Sequence, residues 1–171
     1  VATAAVVLTA MGSGRSTAQD GAKYDVQIPD GLSLSEVRGY EGWQVVSLGA
    51  TDAVVAVVVA NPTAIAAYQA GIPDNGQPFP DGSKLVKIHW TTKQNTEAPF
   101  PVRIPDTLKD VGIMVKDGKR FAQGGGWGYG VFDYVPASDR FTANGTGTQC
   151  GVACHTRVIA RDYVFTAFAK R

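Results

Sequence analysis

The chain has 171 residues, 44% hydrophobic and 18% charged, which fits one globular domain and excludes a disordered chain. Its formal net charge is +1 and no basic run stands out, so nucleic acid is not the expected main partner. Twenty glycines and nine prolines favour short strands and turns over long helices.

The opening VATAAVVLTAMG is apolar but shorter than the ~20 residues that cross a bilayer. Ser16 and Ala18 are small residues two apart before Gln19, the layout of a signal-peptidase site. Residues 1–18 are expected to be the remainder of a secretory signal, and residues 19–171 a single domain with no membrane span. Export to a bacterial periplasm follows. A buried first strand or helix is the other reading of this stretch.

QIPDGLSLSEVRGYEGW carries turn signals and then one or two helical turns from Leu34 to Tyr40. Trp43 to Gly49 and Ala53 to Asn61 are β-branched runs bounded by Gly, Asp and Asn, hence strands. The second does not alternate and is expected to be fully buried. In NPTAIAAYQAG, Asn61 caps a helix, Pro62 suits its first position and Gly71 closes it. PDNGQPFPDG is a turn-rich loop.

Ser83 to Lys93 alternates as a strand, with Leu85, Lys87 and His89 on one face and Val86, Ile88 and Trp90 on the other. A strand near Val111 to Val115 leads into a DG turn, and Gly126 to Val135 is a further strand. The segment after Cys154 is expected to form a closing helix. The sum is an α+β fold: a mostly antiparallel β-sheet with a few short helices.

Both cysteines fall in one stretch, C-x-x-x-C-H: Cys150, Cys154 and His155. Three chemistries use such a cluster. A disulfide suits an exported protein. Zinc needs four ligands, and three leave it short. Covalent haem attachment uses two thiols with an adjacent axial histidine, in the standard form C-x-x-C-H. Here one extra residue is expected to be absorbed as a bulge, eased by small Gly151 and Ala153.

GWGYGVFDYVP, then CGVACH, then DYVFT (Asp162 to Thr166) resembles the C-terminal half of the cytochrome P-460 and cytochrome c′-beta family. Upstream, NPTAIAAYQAG and PDGSKLVKIHW resemble that family's short helix and its lysine-bearing strand. The resemblance runs from about residue 40 to 168. It implies a haem c cofactor, with Cys150 and Cys154 attaching the porphyrin and His155 binding the iron. In the enzyme branch the lysine matching Lys87 is cross-linked to the macrocycle. The resemblance also implies a homodimer, and an electron-accepting cytochrome is a candidate partner.

Other residues carry weaker signals. His89 shares the face of Lys87 and is a distal base, a sixth ligand or an ordinary strand histidine. Met114 is an axial ligand or core. Gly128 and Gly130 offer bare backbone that a flat macrocycle could approach, or mark a bulge. Trp127 and Tyr129 read as core, or as an aromatic wall for the haem. Asp133 and Asp162 are proton-relay or ion-pair carboxylates. Asn144-Gly-Thr146 fits a glycosylation sequon.

The expected function is an exported mono-haem c-type cytochrome that oxidises hydroxylamine or a nitrogen oxide at a lysine-modified haem. A non-enzymatic cytochrome that binds nitric oxide or carbon monoxide, or transfers electrons, is the second reading. A haem-free module with a Cys150–Cys154 disulfide is the third.

Overall fold

The β-branched runs fall into a meander of antiparallel strands: β1 (Gln44–Ala50), β2 (Val54–Ala60), β3 (Lys84–Asn95), β4 (Val102–Lys116), β5 (Trp127–Val135) and β6 (Arg140–Ala143). They lie side by side in chain order, each hydrogen-bonded to the next. Three helices join them: α1 (Thr17–Tyr24), α2 (Pro62–Gln69) and α3 (Gly147–His155). The computed structural model describes residues 17–29, 32–144 and 147–169. Of the stretch expected to be a signal, residues 1–16 lie outside them and Thr17 and Ala18 begin α1; Gly145 and Thr146 of the sequon also lie outside. The expected α+β architecture is therefore the observed one, and no helix among the described residues is long and apolar enough to cross a membrane.

Alternation splits the sheet into two faces. One is sealed by the N-terminal segment: Ile28, Leu32, Leu34, Val37 and Tyr40 pack onto Val59, Val86, Ile88, Val111, Ile113 and Phe132. The other is covered at one end by α2 and Phe79, which pack with Ala60, Leu85, Trp127 and Tyr129. The Asn61 side chain accepts the Ala64 N–H at 3.1 Å, and Pro62 occupies the first turn, as the cap and proline predict. Leu34–Val37 and Tyr40–Gly42 form single 3-10 turns, the short helical stretch expected there.

Several expectations need correction. β2 is not fully buried, because Val54, Val55, Val57 and Val58 are only half-buried. Its partner β1 is an edge strand, and Val58 lines a cavity. β4 is far longer than Val111 to Val115, and β6 was not foreseen. Pro105 is tolerated in β4 because pairing with β5 starts only at Asp110, so its missing N–H costs no bond on that side. The helix does not follow Cys154 but contains the whole cysteine motif, and 3-10 turns over Thr156–Arg161 come after it.

The last correction concerns Gly128 and Gly130. Their bare faces turn to the sealed core. A Cβ on Gly128 would stand 2.4 Å from the Phe121 ring, and one on Gly130 3.1 Å from Phe132. Their missing side chains admit core rings, while the Gly130 backbone also lines the cavity on the opposite face of the sheet.

Candidate functional site

The open end of the second face is a cavity of about 410 Å³. Its floor is the sheet and its wall is α3. The floor is a register pattern: Lys87 pairs with Val58 on one side and Gly112 on the other, and the next row sets His89 opposite Asp110. From β5, Tyr129 and Val131 complete it. Gly112 leaves space above the sheet, since a Cβ there would meet nothing closer than the Lys87 carbonyl at 4.0 Å.

α3 presents Gly147, Cys150, Gly151 and Cys154 to the cavity, the i, i+3, i+4, i+7 stripe of a helix. The extra residue of the motif is thus absorbed by regular helix, not by a bulge. Both cysteines are free thiols, one turn apart on the same wall. Gly151 serves close packing: a Cβ there would sit 2.3 Å from Tyr129 Cβ.

His155 ends the helix. Its Nδ1–H donates to the Tyr163 carbonyl at 2.6 Å. That bond commits one ring nitrogen and leaves Nε2 to coordinate. The ring lies 4.7 Å from that of Tyr129 and 4.9 Å from that of Phe165. Burial holds the His155 pKa below the usual histidine range; the bond to Tyr163 opposes this and the charge of Lys87 adds to it. The structure therefore brings Cys150, Cys154, His155 and Lys87 around one cavity, although Lys87 lies more than 60 positions from the motif. Lys87 has no hydrogen bond or ion pair among the described residues.

His89 and Asp110 lie in the same cavity. His89 Nδ1 is 2.5 Å from Asp110 Oδ1, and Lys109 Nζ donates to Oδ2 at 2.8 Å. Burial raises the Asp110 carboxyl, but the bonds from His89 and Lys109 outweigh it, so its pKa falls below the ordinary 3.8. A register shift follows, because His89 pairs with Asp110 and Trp90 with Leu108. Lys109 is the extra residue of this bulge, a device common beside functional sites. Sequence reasoning missed Asp110 because the expected strand began at Val111. The period-two phase of Gly112 and Met114 reaches it.

The remaining candidates separate. Met114 lines the cavity and also packs with the second core. Trp127 is fully buried, whereas Tyr129 is both core and cavity wall. Asp133 accepts from the Asn144 amide. Asp162 forms a buried ion pair with Lys116 at 2.8 Å. It precedes Tyr163, and both hold left-handed backbone, φ 48° and 63°, at a cost of roughly 1–2 kcal/mol per residue.

An antiparallel sheet whose cavity is walled by a C-x-x-x-C-H helix is compatible with a small haem cytochrome. The family model for cytochrome P460 matches residues 37–166, most of the chain. The chain belongs to the cytochrome P460 family: it is a c-type haem cytochrome, with haem c and its iron as cofactor. No curated protein matches the sequence.

The residues present fit that cofactor. Two free thiols share one wall, a histidine keeps Nε2 uncommitted, and Val58, Leu85, Val131, Val164 and Phe165 supply apolar lining. Phe165 is 51% exposed, a large apolar ring at the rim. Among the described residues no group of three or more His, Cys, Asp or Glu gathers to hold a metal ion unaided.

Proposed function

We propose that Cys150 and Cys154 hold the haem through thioether bonds, that His155 binds its iron through Nε2, and that Lys87 bonds covalently to the macrocycle. On this reading the protein oxidises hydroxylamine or a related small nitrogen compound. The observation that carries it is the amine of Lys87, standing uncommitted in the cavity that Cys150, Cys154 and His155 also line. Lys87 is exposed to the cavity and has no acid partner among the described residues, so its amine is available to react.

Bound there, the haem would supply a redox centre for the electrons of a small nitrogen ligand. The chain supplies the rest. The Tyr163 carbonyl orients His155 and makes its ring a stronger donor. Hydroxylamine oxidation releases protons with its electrons, so the cavity needs an acceptor. His89 provides one: its Nδ1–H faces Asp110 Oδ1, which leaves Nε2 as a base and a carboxylate to stabilise the imidazolium. Apolar Val58, Leu85 and Phe165 line the cavity beside them. An electron-accepting cytochrome, export to a bacterial periplasm and a homodimeric state belong to the same proposal.

A second reading, capture of nitric oxide or carbon monoxide without turnover, is favoured by the same apolar lining. The absorption spectrum of protein matured with c-haem machinery tests the first. A markedly red-shifted Soret band after reduction is expected, and Lys87→Ala should abolish it. An ordinary c-type spectrum would remove the lysine bond. Hydroxylamine turnover with an electron acceptor then separates enzyme from gas carrier.

A further inference from the structure

The carbonyl that holds His155 does not belong to a helix or a strand. It belongs to Tyr163, in a turn where two consecutive residues with side chains, Asp162 and Tyr163, take left-handed backbone. Neither is glycine, so something must hold the turn. Its own backbone bonds are Asp162 N–H to Ile159 O, Tyr163 N–H to Val158 O and Val164 N–H to Arg161 O, all near 3.0 Å. These close the turn but do not anchor it to the sheet.

The anchor is the Asp162 carboxylate, whose side chain is 10% exposed. Lys116 Nζ donates to Oδ1 at 2.8 Å and to Oδ2 at 2.9 Å. Trp127 Nε1–H and the Phe79 N–H donate to Oδ2 at 3.2 and 2.8 Å. Lys116 also donates to the Gly125 carbonyl at 2.8 Å, and its ammonium stands 5.2 Å from the Trp127 ring centroid. The Tyr163 ring covers Gly125, where a Cβ would lie 2.1 Å from the ring. Strand β4, strand β5 and the loop before β3 thus converge on one carboxylate, a single residue from the carbonyl that faces His155.

We propose that Asp162, held by Lys116, is the positioning residue for His155: it locks the turn so that the Tyr163 carbonyl stays on Nδ1. Asp162 does not itself line the cavity, and its carboxylate bonds to Phe79, Lys116 and Trp127 rather than to His155, so it acts through the backbone of the turn. The inference rests on His155 being the iron ligand for its effect on the haem, but not for its effect on the imidazole.

The test uses the full haem-bearing chain, wild type, Asp162→Asn, and a Lys116→Met/Asp162→Leu pair that leaves no buried charge unpaired. Resonance Raman spectroscopy reads the iron–histidine stretch, and redox titration the midpoint potential. Loosening the Tyr163 bond weakens the donor, so both variants should show a lower stretching frequency and a higher potential. A merely structural role would move the melting temperature and neither of these. Wild-type values in both variants would overturn the proposal. So would a shift in Asp162→Asn that the double variant lacks, since that would trace it to the stranded lysine. If the wild-type chain carries no haem, the cytochrome assignment of His155 fails separately. The tautomer of 15N-labelled His155 then decides: a single Nδ1–H form that becomes a mixture in both variants supports the clamp, and an unchanged form overturns it.

Discussion

Two lysines project from the same face of the sheet and meet opposite fates. Lys116, on β4, is buried and ringed by Asp162, the Gly125 carbonyl and the face of Trp127. Lys87, on β3, is exposed to the cavity and has no acid or acceptor among the described residues. Both stand in strands whose neighbours are mostly apolar. The difference lies in what the C-terminal segment brings over them. At Lys116 the turn at Asp162 closes the face. At Lys87 the helix α3 stands off and leaves a cavity. One lysine builds the site and the other is available to serve it.

This contrast can be broken most directly by removing each partner. Asp162→Ala leaves the Lys116 ammonium buried and unpaired, and should cost about 3–5 kcal/mol, read from urea denaturation. Next in size is Gly151→Ala, whose methyl would collide with Tyr129 and force α3 off β5. Overpacking of this kind costs about 1–3 kcal/mol, and it should also reduce haem incorporation, read by haem staining of the denatured protein. Lys87→Met should change stability by no more than about 0.5 kcal/mol, the ordinary range for a side chain without such partners. A loss as large as that of Asp162→Ala would show that the two lysines are not different in kind.

The smallest expected effect is a pH dependence. The Asp110 carboxyl is held below its ordinary 3.8 in the folded chain, so the folded state binds its proton less readily than the unfolded chain. Its contribution to stability is fully present above pH 3.8 and is lost as pH falls through the lower folded value. Asp110→Asn should flatten the acid limb of the stability profile below that pH and leave neutral pH unchanged in slope. An unchanged acid limb would mean that His89 and Lys109 do not hold the charge.

Much of the sheet was legible because period-two alternation is local. Leu85, Lys87 and His89 were placed on one face correctly, and the Asn61 cap with Pro62 marked α2. Phase alone, however, cannot say which face is core. Gly128 and Gly130 were on one face as read, but that face packs on Phe121 and Phe132, because the N-terminal segment folds over it. Asp110 was missed where the strand boundary was drawn one residue short, and a bulge at Lys109 has no sequence signal of its own.

By itself, the sequence determined the class of the fold and the chemistry present: alternating strands, capped short helices, and two thiols beside a histidine. These follow from propensities and spacings that act within a few residues. Only the tertiary structure decided that Lys87 and His89 face the thiols, that Asp110 backs His89, and that a turn pinned by Asp162 and Lys116 aims the Tyr163 carbonyl at His155. Each of these joins residues far apart in the chain. Their meeting depends on which sheet face the C-terminal segment covers, and burial of the whole chain settles that.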